Sequence, residues 1–144
     1  MSAEENIAAV RRVYEAFSTG KLEMLDEVMA ADCIDHNPEP GQGPGLEGVK
    51  ESFVRFRAAV PDLRFTVEDI MAAGDKVVSR ATLAGTDEGG VLPGSPPTGK
   101  AFSVALIDIV RFAGGKAVER WGLYDGVSFL QQLGAMPEMA QASG

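Results

Sequence analysis

The chain has 144 residues, of which 45% are apolar and 24% are charged, and its formal net charge is −8 at neutral pH. This size and composition are typical of a single globular domain, spanning residues 1–144. The acidic charge argues against binding to a nucleic-acid backbone, which requires clustered lysine and arginine. No apolar run approaches the roughly 20 residues of a membrane-spanning helix, so we expect neither a nucleic-acid nor a membrane partner.

Cysteine and histidine each occur once, as Cys33 and His36. The single cysteine excludes an intrachain disulfide and a cysteine-based zinc site, and the single histidine excludes a multi-histidine metal site. A site with carboxylate ligands stays open, although no pattern in the sequence points to a metal. The first residues lack the basic and apolar stretches of a signal peptide. Together these features predict a cytoplasmic protein.

Three helices are predicted in the first sixty residues. Residues 3–18 carry apolar side chains at helical spacing, and a Thr-Gly pair follows where the helix should end. A short second helix is predicted over 22–30, and a third over 46–60, where a proline stops it. Between the last two lie a short extended segment, 32–38, and a loop rich in glycine and proline.

Beyond residue 61 the apolar period changes from near four to two, which predicts strands. Four strands are predicted, over 63–68, 77–83, 101–112 and 117–123. The turn Ala113–Lys116 contains two glycines, which favours a tight hairpin. One or two helical turns are predicted at 128–133. Helices followed by an antiparallel meander form an α+β plan, in which the N-terminal helices must cover one face of the sheet.

The opposite face of the sheet also carries apolar side chains. Ala105, Ile107 and Ile109 alternate with the inward set on their strand. An uncovered apolar face of this kind is unusual in a monomer, so we expect a homodimer formed through it. The loop 86–100 is too long for a hairpin turn, and it contains apolar residues isolated among glycines and prolines. It is therefore predicted to cover a pocket or to join the dimer contact.

The order of these elements resembles the nuclear transport factor 2-like cone, a curved antiparallel sheet packed on N-terminal helices around an apolar pocket. Several stretches also resemble the SnoaL-like polyketide (ester) cyclase family, in the family's order; these are Asp35–Pro38, Pro96–Lys100, Glu119–Trp121 with Asp125, and Leu130–Gly134. This resemblance implies a cofactor-free enzyme that closes a ring by an intramolecular aldol reaction on a polyketide ester. It also implies an acidic residue that acts on a small hydrophobic substrate in the pocket.

A narrower resemblance concerns the ketosteroid isomerases. Residues Ile107–Phe112 are similar to the strand that carries their protonated aspartic acid, and Tyr14 stands where they place an oxyanion tyrosine. Their general-base aspartate directly precedes a proline, a place that Asn37 holds here, which argues against isomerase chemistry by that route. Three hypotheses remain: a cyclase, a non-catalytic module that binds a hydrophobic ligand, and an isomerase or hydrolase relative.

Three residues are predicted to be catalytic: Asp108, Asp125 and His36. Closing an aldol requires a base and a donor for the developing oxyanion. Asp108 shares a strand face with apolar residues, so it should be protonated, paired with Arg80 or functional. Asp125 is either an acid–base group at the pocket rim or the N-cap of the last helix. His36 is the one side chain whose type changes charge near neutral pH, and the resemblance favours it at the pocket mouth.

Five further residues are predicted to contact the substrate: Tyr14, Asp35, Arg80, Glu119 and Trp121. Tyr14 would direct its hydroxyl into the pocket from the first helix. Arg80, if it points inward, would orient a carboxylate, and its alternative is a charge pair. Glu119 and Trp121 share one face of the last strand with Asp125, and that face is expected to line the pocket.

Overall fold

The computed structural model describes residues 2–137, and within that range it contains four α-helices and five strands. The helices are α1 (Ala3–Thr19), α2 (Leu25–Val28), α3 (Gly45–Ala59) and α4 (Gly126–Gln132), and a single 3₁₀ turn, Leu22–Met24, leads into α2. The strands are β1 (Met29–Asp35), β2 (Arg64–Ala73), β3 (Lys76–Thr86), β4 (Ala101–Ala113) and β5 (Lys116–Tyr124). The predicted α+β class is therefore confirmed.

The five strands form one sheet in the order β1-β5-β4-β3-β2. Strands β2 to β5 make the predicted antiparallel meander, but β1 pairs with β5 in parallel, so the sheet is mixed. A parallel neighbour is possible because α3 and three strands separate β1 from β5 along the chain, and no tight turn has to join them. In the part of the chain that the structure describes, the edge strands β1 and β2 do not meet, so the sheet stays open.

Helix α1 begins and ends at residues suited to those positions. The hydroxyl of Ser2 accepts a hydrogen bond from the backbone N–H of Glu5, and two glutamates lie in the first turn, where the helix dipole favours negative charge. At the other end Gly20 takes a left-handed conformation, φ 79°, and its N–H donates to the carbonyl of Ala16. The helix therefore stops where the sequence predicted.

The core lies between the helices and the inner face of the sheet. Helix α1 buries Val10 and Tyr14 there, and β4 contributes Phe102, Val104 and Leu106 from alternate positions. Helix α4 closes one end of this layer, where an aromatic ring of the helix packs edge-on against Phe102 at 4.9 Å between centroids. Within the described residues no helix is long and apolar enough to span a membrane.

Strand β5 contains an extra residue relative to its neighbour. Phe112 on β4 pairs with Ala117, but Arg111, the next residue along, pairs with Glu119. Val118 is therefore the extra residue of a β-bulge. Because side chains alternate with a period of two, one added residue reverses which side chains face the core beyond the bulge.

The loop between β3 and β4 is held by a buried carboxylate. Asp87 is fully buried, and its two oxygens accept hydrogen bonds from the backbone N–H groups of Gly90, Val91 and Thr98 and from the Thr98 hydroxyl. Val91 and Leu92 pack against the main core. No residue of this loop belongs to the pocket walls described below, so the predicted pocket cover is wrong, whereas a dimer contact through the loop stays a prediction.

We expect Asp87→Asn to destabilise the fold by about 2 kcal/mol at pH 7, because the variant loses charge-assisted acceptors for buried N–H groups. Burial alone would raise the pKa of Asp87, but the hydrogen bonds from Thr98, Val91 and Gly90 outweigh it and lower that pKa. A lowered folded pKa gives stability that is present above the unfolded value, about 3.9, and is lost as the pH falls through the folded value. Urea denaturation of both proteins should therefore give midpoints that converge below about pH 4. The exposed neighbour variant Glu88→Gln serves as the control and should leave the midpoint unchanged.

Candidate active site

A pocket of about 150 Å³ lies between α1, α3 and the inner face of the sheet. Most of its wall is apolar and comes from helices and strands alike: Val10, Val13, Phe17, Met29, Val49, Phe53, Phe56, Phe65, Leu83, Leu106 and Phe129. The polar groups of the wall include three carboxyl groups and one guanidinium: Asp35, Glu39, Asp108 and Arg120. Asn37, Glu39 and Tyr124 are exposed, so this end is the mouth.

Asp108 lies on the inner face of β4, in the apolar setting that the strand pattern predicted. The hydroxyl of Tyr14 donates to Asp108 Oδ2 at 2.8 Å, and the hydroxyl of Ser79 lies 2.7 Å from the Tyr14 oxygen. Because the single phenolic proton goes to Asp108, Ser79 donates to Tyr14. Burial, and next the charge of Asp108, raise the pKa of Tyr14, so this phenol stays protonated as a donor at neutral pH.

Asp108 forms its ion pair with Arg120 and not with Arg80, the partner that the sequence had suggested. Arg120 Nη2 and Nε donate to Asp108 Oδ1 at 2.7 and 3.0 Å, while Nη1 donates to Asp35 Oδ1 at 3.1 Å. Burial opposes the charged guanidinium, but the carboxylates of Asp108 and Asp35 outweigh it and raise the pKa of Arg120. One guanidinium therefore links two carboxylates across the pocket floor.

Asp35 connects this floor to the loop that follows β1. Its carboxylate accepts hydrogen bonds from the backbone N–H of Asn37 at 3.0 Å and from the side-chain amide of Gln42 at 3.1 Å. The Asn37 side chain in turn accepts from the backbone N–H of Gly122 at 3.0 Å. The glycine- and proline-rich loop is thus tied to both β1 and β5 at the mouth.

Glu39 adds a second acidic group at the mouth. Although the residue is exposed overall, its carboxyl borders the pocket, and burial among pocket atoms raises its pKa against the opposing charge of Arg120. Burial, followed by the charge of Glu39, also raises the pKa of Tyr124. The mouth therefore carries a carboxyl whose charge acts on a nearby phenol.

The prediction that Glu119 and Trp121 line the pocket is wrong. Beyond the bulge at Val118, these side chains lie on the outer face of the sheet, and His36 lies there with them. The His36 ring stacks on Trp121 at 4.7 Å between centroids, and its Nε2 lies 2.7 Å from Glu119 Oε2. Arg111 Nε donates to the other carboxylate oxygen of Glu119 at 2.6 Å. These bonds lower the pKa of Glu119, that from His36 most, and form a surface cluster outside the pocket.

Asp125 and Arg80 also lie outside the pocket. The carboxylate of Asp125 accepts from the backbone N–H of Ser128 at 3.0 Å, so it caps α4, the alternative that the sequence had left open. Arg80 is on the outer face of β3 and donates through Nη2 to Asp69 at 2.8 Å in an exposed pair. The inward positions of β3 are the odd-numbered ones, among them Ser79.

Of the eight predicted site residues, the pocket therefore brings together Tyr14, Asp35 and Asp108. Sequence analysis missed Arg120, Glu39 and Gln42. Arg120 directly follows Glu119. A prediction that included a one-residue bulge before them would have assigned Arg120, and not Glu119, to the inner face of the sheet. For Glu39 and Gln42, the sequence indicated only that they lie in an irregular loop, and no pattern predicted that they border the pocket. Among residues 2–137, no three histidine, cysteine, aspartate or glutamate side chains are grouped as metal ligands.

Comparison with known proteins identifies the family. A family model described as SnoaL-like polyketide cyclase matches residues 7–133. The chain belongs to the SnoaL-like polyketide cyclase family. It is 30% identical over 139 residues to the aklanonic acid methyl ester cyclase AcmA of Streptomyces galilaeus, covering 90% of this chain and 91% of that protein. The cyclase DauD of Streptomyces sp. (strain C5), named for the same substrate, is 30% identical over 141 residues, with 89% and 81% covered.

A solved structure supports the fold. TsrD from Streptomyces laurentii superimposes with a TM-score of 0.86 at 29% identity, covering 94% of this chain and 99% of that one. The nuclear transport factor 2-like cone expected from the order of elements is therefore confirmed, and the chain is an enzyme of the SnoaL-like cyclase family.

We expect Arg120→Ala to destabilise the fold by about 2–4 kcal/mol, because it leaves two partly buried carboxylates without their cation. Arg80→Ala, which removes an ion pair of similar length from the exposed outer face, should cost less than about 1 kcal/mol. Chemical denaturation of both variants at pH 7 measures the difference. Equal losses of stability would contradict the assignment of Arg120 to the pocket.

Proposed function

We propose that the protein is a cofactor-independent cyclase that closes a ring by an intramolecular aldol reaction, or related carbon-acid chemistry, on a small hydrophobic polyketide ester. The observation that carries this proposal is a carboxylate in an apolar pocket, Asp108, with a guanidinium on one oxygen and a phenol on the other. Family membership and the names of the curated relatives support the substrate class.

In this proposal Asp108 is the acid–base residue. Its carboxylate removes a proton from a carbon next to a carbonyl of the substrate, and the resulting carbanion attacks a second carbonyl in the same molecule. The new carbon–carbon bond leaves an alkoxide, which takes the proton back from Asp108. Tyr14 and Arg120 orient the carboxylate, and an N–H of Arg120 not used by the two aspartates is a donor for the developing oxyanion.

The hydrogen bonds at Asp108 argue against the isomerase alternative. An oxyanion hole of the isomerase type needs a protonated aspartic acid that donates a hydrogen bond to the substrate. Here Arg120 donates twice to one oxygen of Asp108 and Tyr14 donates to the other, so both oxygens already accept hydrogen bonds and neither is placed to donate one to a substrate. This arrangement favours Asp108 as a base, and Asn37 holds the position before a proline where the isomerases have their general-base aspartate.

A non-catalytic binding module remains the second candidate, since the same apolar walls would hold a ligand without reaction. Asp108→Asn separates the two. In an enzyme, we expect turnover of aklanonic acid methyl ester, used as a probe substrate, to fall about 10²- to 10⁴-fold while its binding changes little. Asp125→Asn is the matched control, because asparagine caps a helix as well as aspartate does and Asp125 lies outside the pocket. Unchanged turnover in Asp108→Asn would remove Asp108 from the reaction. If neither the natural protein nor the control turns the probe over but both bind it, a binding module is supported.

We also propose that two copies pair through the outer face of the sheet. The strand registers align Met71, Val78, Ile109 and Trp121 in one row across four strands. Beside this row, Leu123 is 70% exposed and pairs with Ile107, which is 54% exposed. Two sets of charged groups on this face already have partners within the chain, the Arg80–Asp69 pair and the cluster around Glu119, so a second copy can cover them without leaving those charges unpaired.

Leu123→Glu should convert this dimer to a monomer, because it buries a charge at the centre of a symmetric contact. Light scattering at micromolar concentration should give twice the chain mass for the natural protein and a single chain mass for the variant. Val54→Glu, an equivalent change at an exposed apolar residue on α3, is the control and should remain dimeric. A monomeric mass for the natural protein would contradict pairing.

A further inference from the structure

Strand β5 carries no side chain at the position opposite Asp108. Gly122 pairs directly with Asp108 in the β4–β5 register, and it is buried. It is not among the glycines with positive φ, so its backbone conformation does not require glycine. Glycine weakens the interior of a strand, because it has no side chain to pack and loses more backbone entropy on folding. The backbone therefore does not explain why glycine occupies this position.

The space above Gly122 does explain it. A Cβ at this position would lie 1.8 Å from Asp108 Oδ1, 2.2 Å from Arg120 Nη2 and 2.5 Å from Arg120 Cζ. The first two are the atoms that form the 2.7 Å contact between guanidinium and carboxylate. The ion pair thus occupies the volume in which any other residue would have its first side-chain carbon.

The geometry of the strands requires the space above Gly122 to be free if Arg120 is to reach Asp108. Arg120 lies directly opposite Val110 on β4, and Asp108 is two residues away from Val110 on the same face. Arg120 can reach Asp108 only by laying its side chain along β5, across residue 122. A side chain at 122 would lift the guanidinium away from Asp108 or push the carboxylate aside.

We propose that Gly122 is a positioning residue, whose missing side chain lets Arg120 hold Asp108 in the orientation that catalysis requires. The positioning of the ion pair stands on geometry alone, whereas its consequence for turnover rests on the proposed acid–base role of Asp108. The two parts are therefore tested by different measurements.

The first measurement follows the ion pair and needs no substrate. In ¹⁵N-labelled protein, the Nε–H signal of Arg120, assigned with the Arg120→Lys variant, reports protection from exchange with water. We expect Gly122→Ala to speed this exchange about tenfold or more, since it breaks the hydrogen bond to Asp108. Gly126→Ala is the matched control, because that glycine also lacks a positive φ and its Cβ would meet only Tyr124 Cε2, at 3.8 Å. Unchanged exchange in folded Gly122→Ala would overturn the proposal.

A folding measurement covers the case in which Gly122→Ala does not fold. In a background carrying Asp108→Ala and Arg120→Ala, the atoms that conflict with the new Cβ are gone. There, adding Gly122→Ala should leave the denaturation midpoint unchanged or raise it, whereas in the natural background it lowers the midpoint. An equal loss in both backgrounds would mean that Gly122 is needed for a different reason, and the proposal would fail.

The second measurement is turnover of the probe ester. Gly122→Ala should lower kcat about 10-fold to 100-fold, as expected for a displaced catalytic group, and leave KM within about threefold. Combined with Arg120→Ala it should cause little further loss, because both changes remove the same contact. If the natural protein shows no turnover while the exchange result holds, the proposed function fails and the positioning role stands. If exchange accelerates but kcat is unchanged, the role of Gly122 in catalysis is wrong.

Discussion

The guanidinium of Arg120, held between Asp35 and Asp108, is the interaction on which the polar side of the pocket depends. A carboxylate among phenylalanine, valine and leucine side chains would lose its hydration without compensation. Two such carboxylates in one pocket would also repel each other. A single cation between them offsets both costs, and the Tyr14 hydroxyl adds a directed donor on the far oxygen of Asp108. The pocket can therefore be apolar over most of its wall and still hold two acidic side chains.

One inserted residue, Val118, brings this cation into place. Without the bulge, strict alternation from buried Ala117 would direct Glu119 and Trp121 inward and Arg120 outward. The pocket would then hold four acidic side chains, Asp35, Glu39, Asp108 and Glu119, with no cation beside them. The same reversal places the His36–Trp121 stack on the outer surface, where it adds to the flat apolar face. The polar side of the pocket and the arrangement of the outer face thus both depend on one irregularity of strand pairing.

The sequence predicted side-chain orientation correctly where the periodic pattern of apolar residues was long and uninterrupted. The stripe of α1 and the alternation of β4 fixed the inward positions of Tyr14 and Asp108. The prediction failed on β5, because a valine in a bulge has no sequence feature that distinguishes it from other β-branched strand residues. The same sequence is therefore compatible with a strand register that includes the bulge and with one that does not. The prediction also failed for Arg80, since both faces of β3 carry apolar residues and neither could be identified as the inner one. The cap at Asp125 was one of two open alternatives, and only the Ser128 contact decides it.

The hydrogen bond between Tyr14 and Asp108 joins positions 94 residues apart. During synthesis, the first helix therefore leaves the ribosome long before the strand that completes its polar contact. Closing so large a loop costs entropy before any contact compensates it, so the pocket forms late and together with the whole sheet. A chain that ends before β5 lacks Arg120, the cation between Asp35 and Asp108. The polar side of the pocket is therefore complete only when β5 has paired with β4 and with β1.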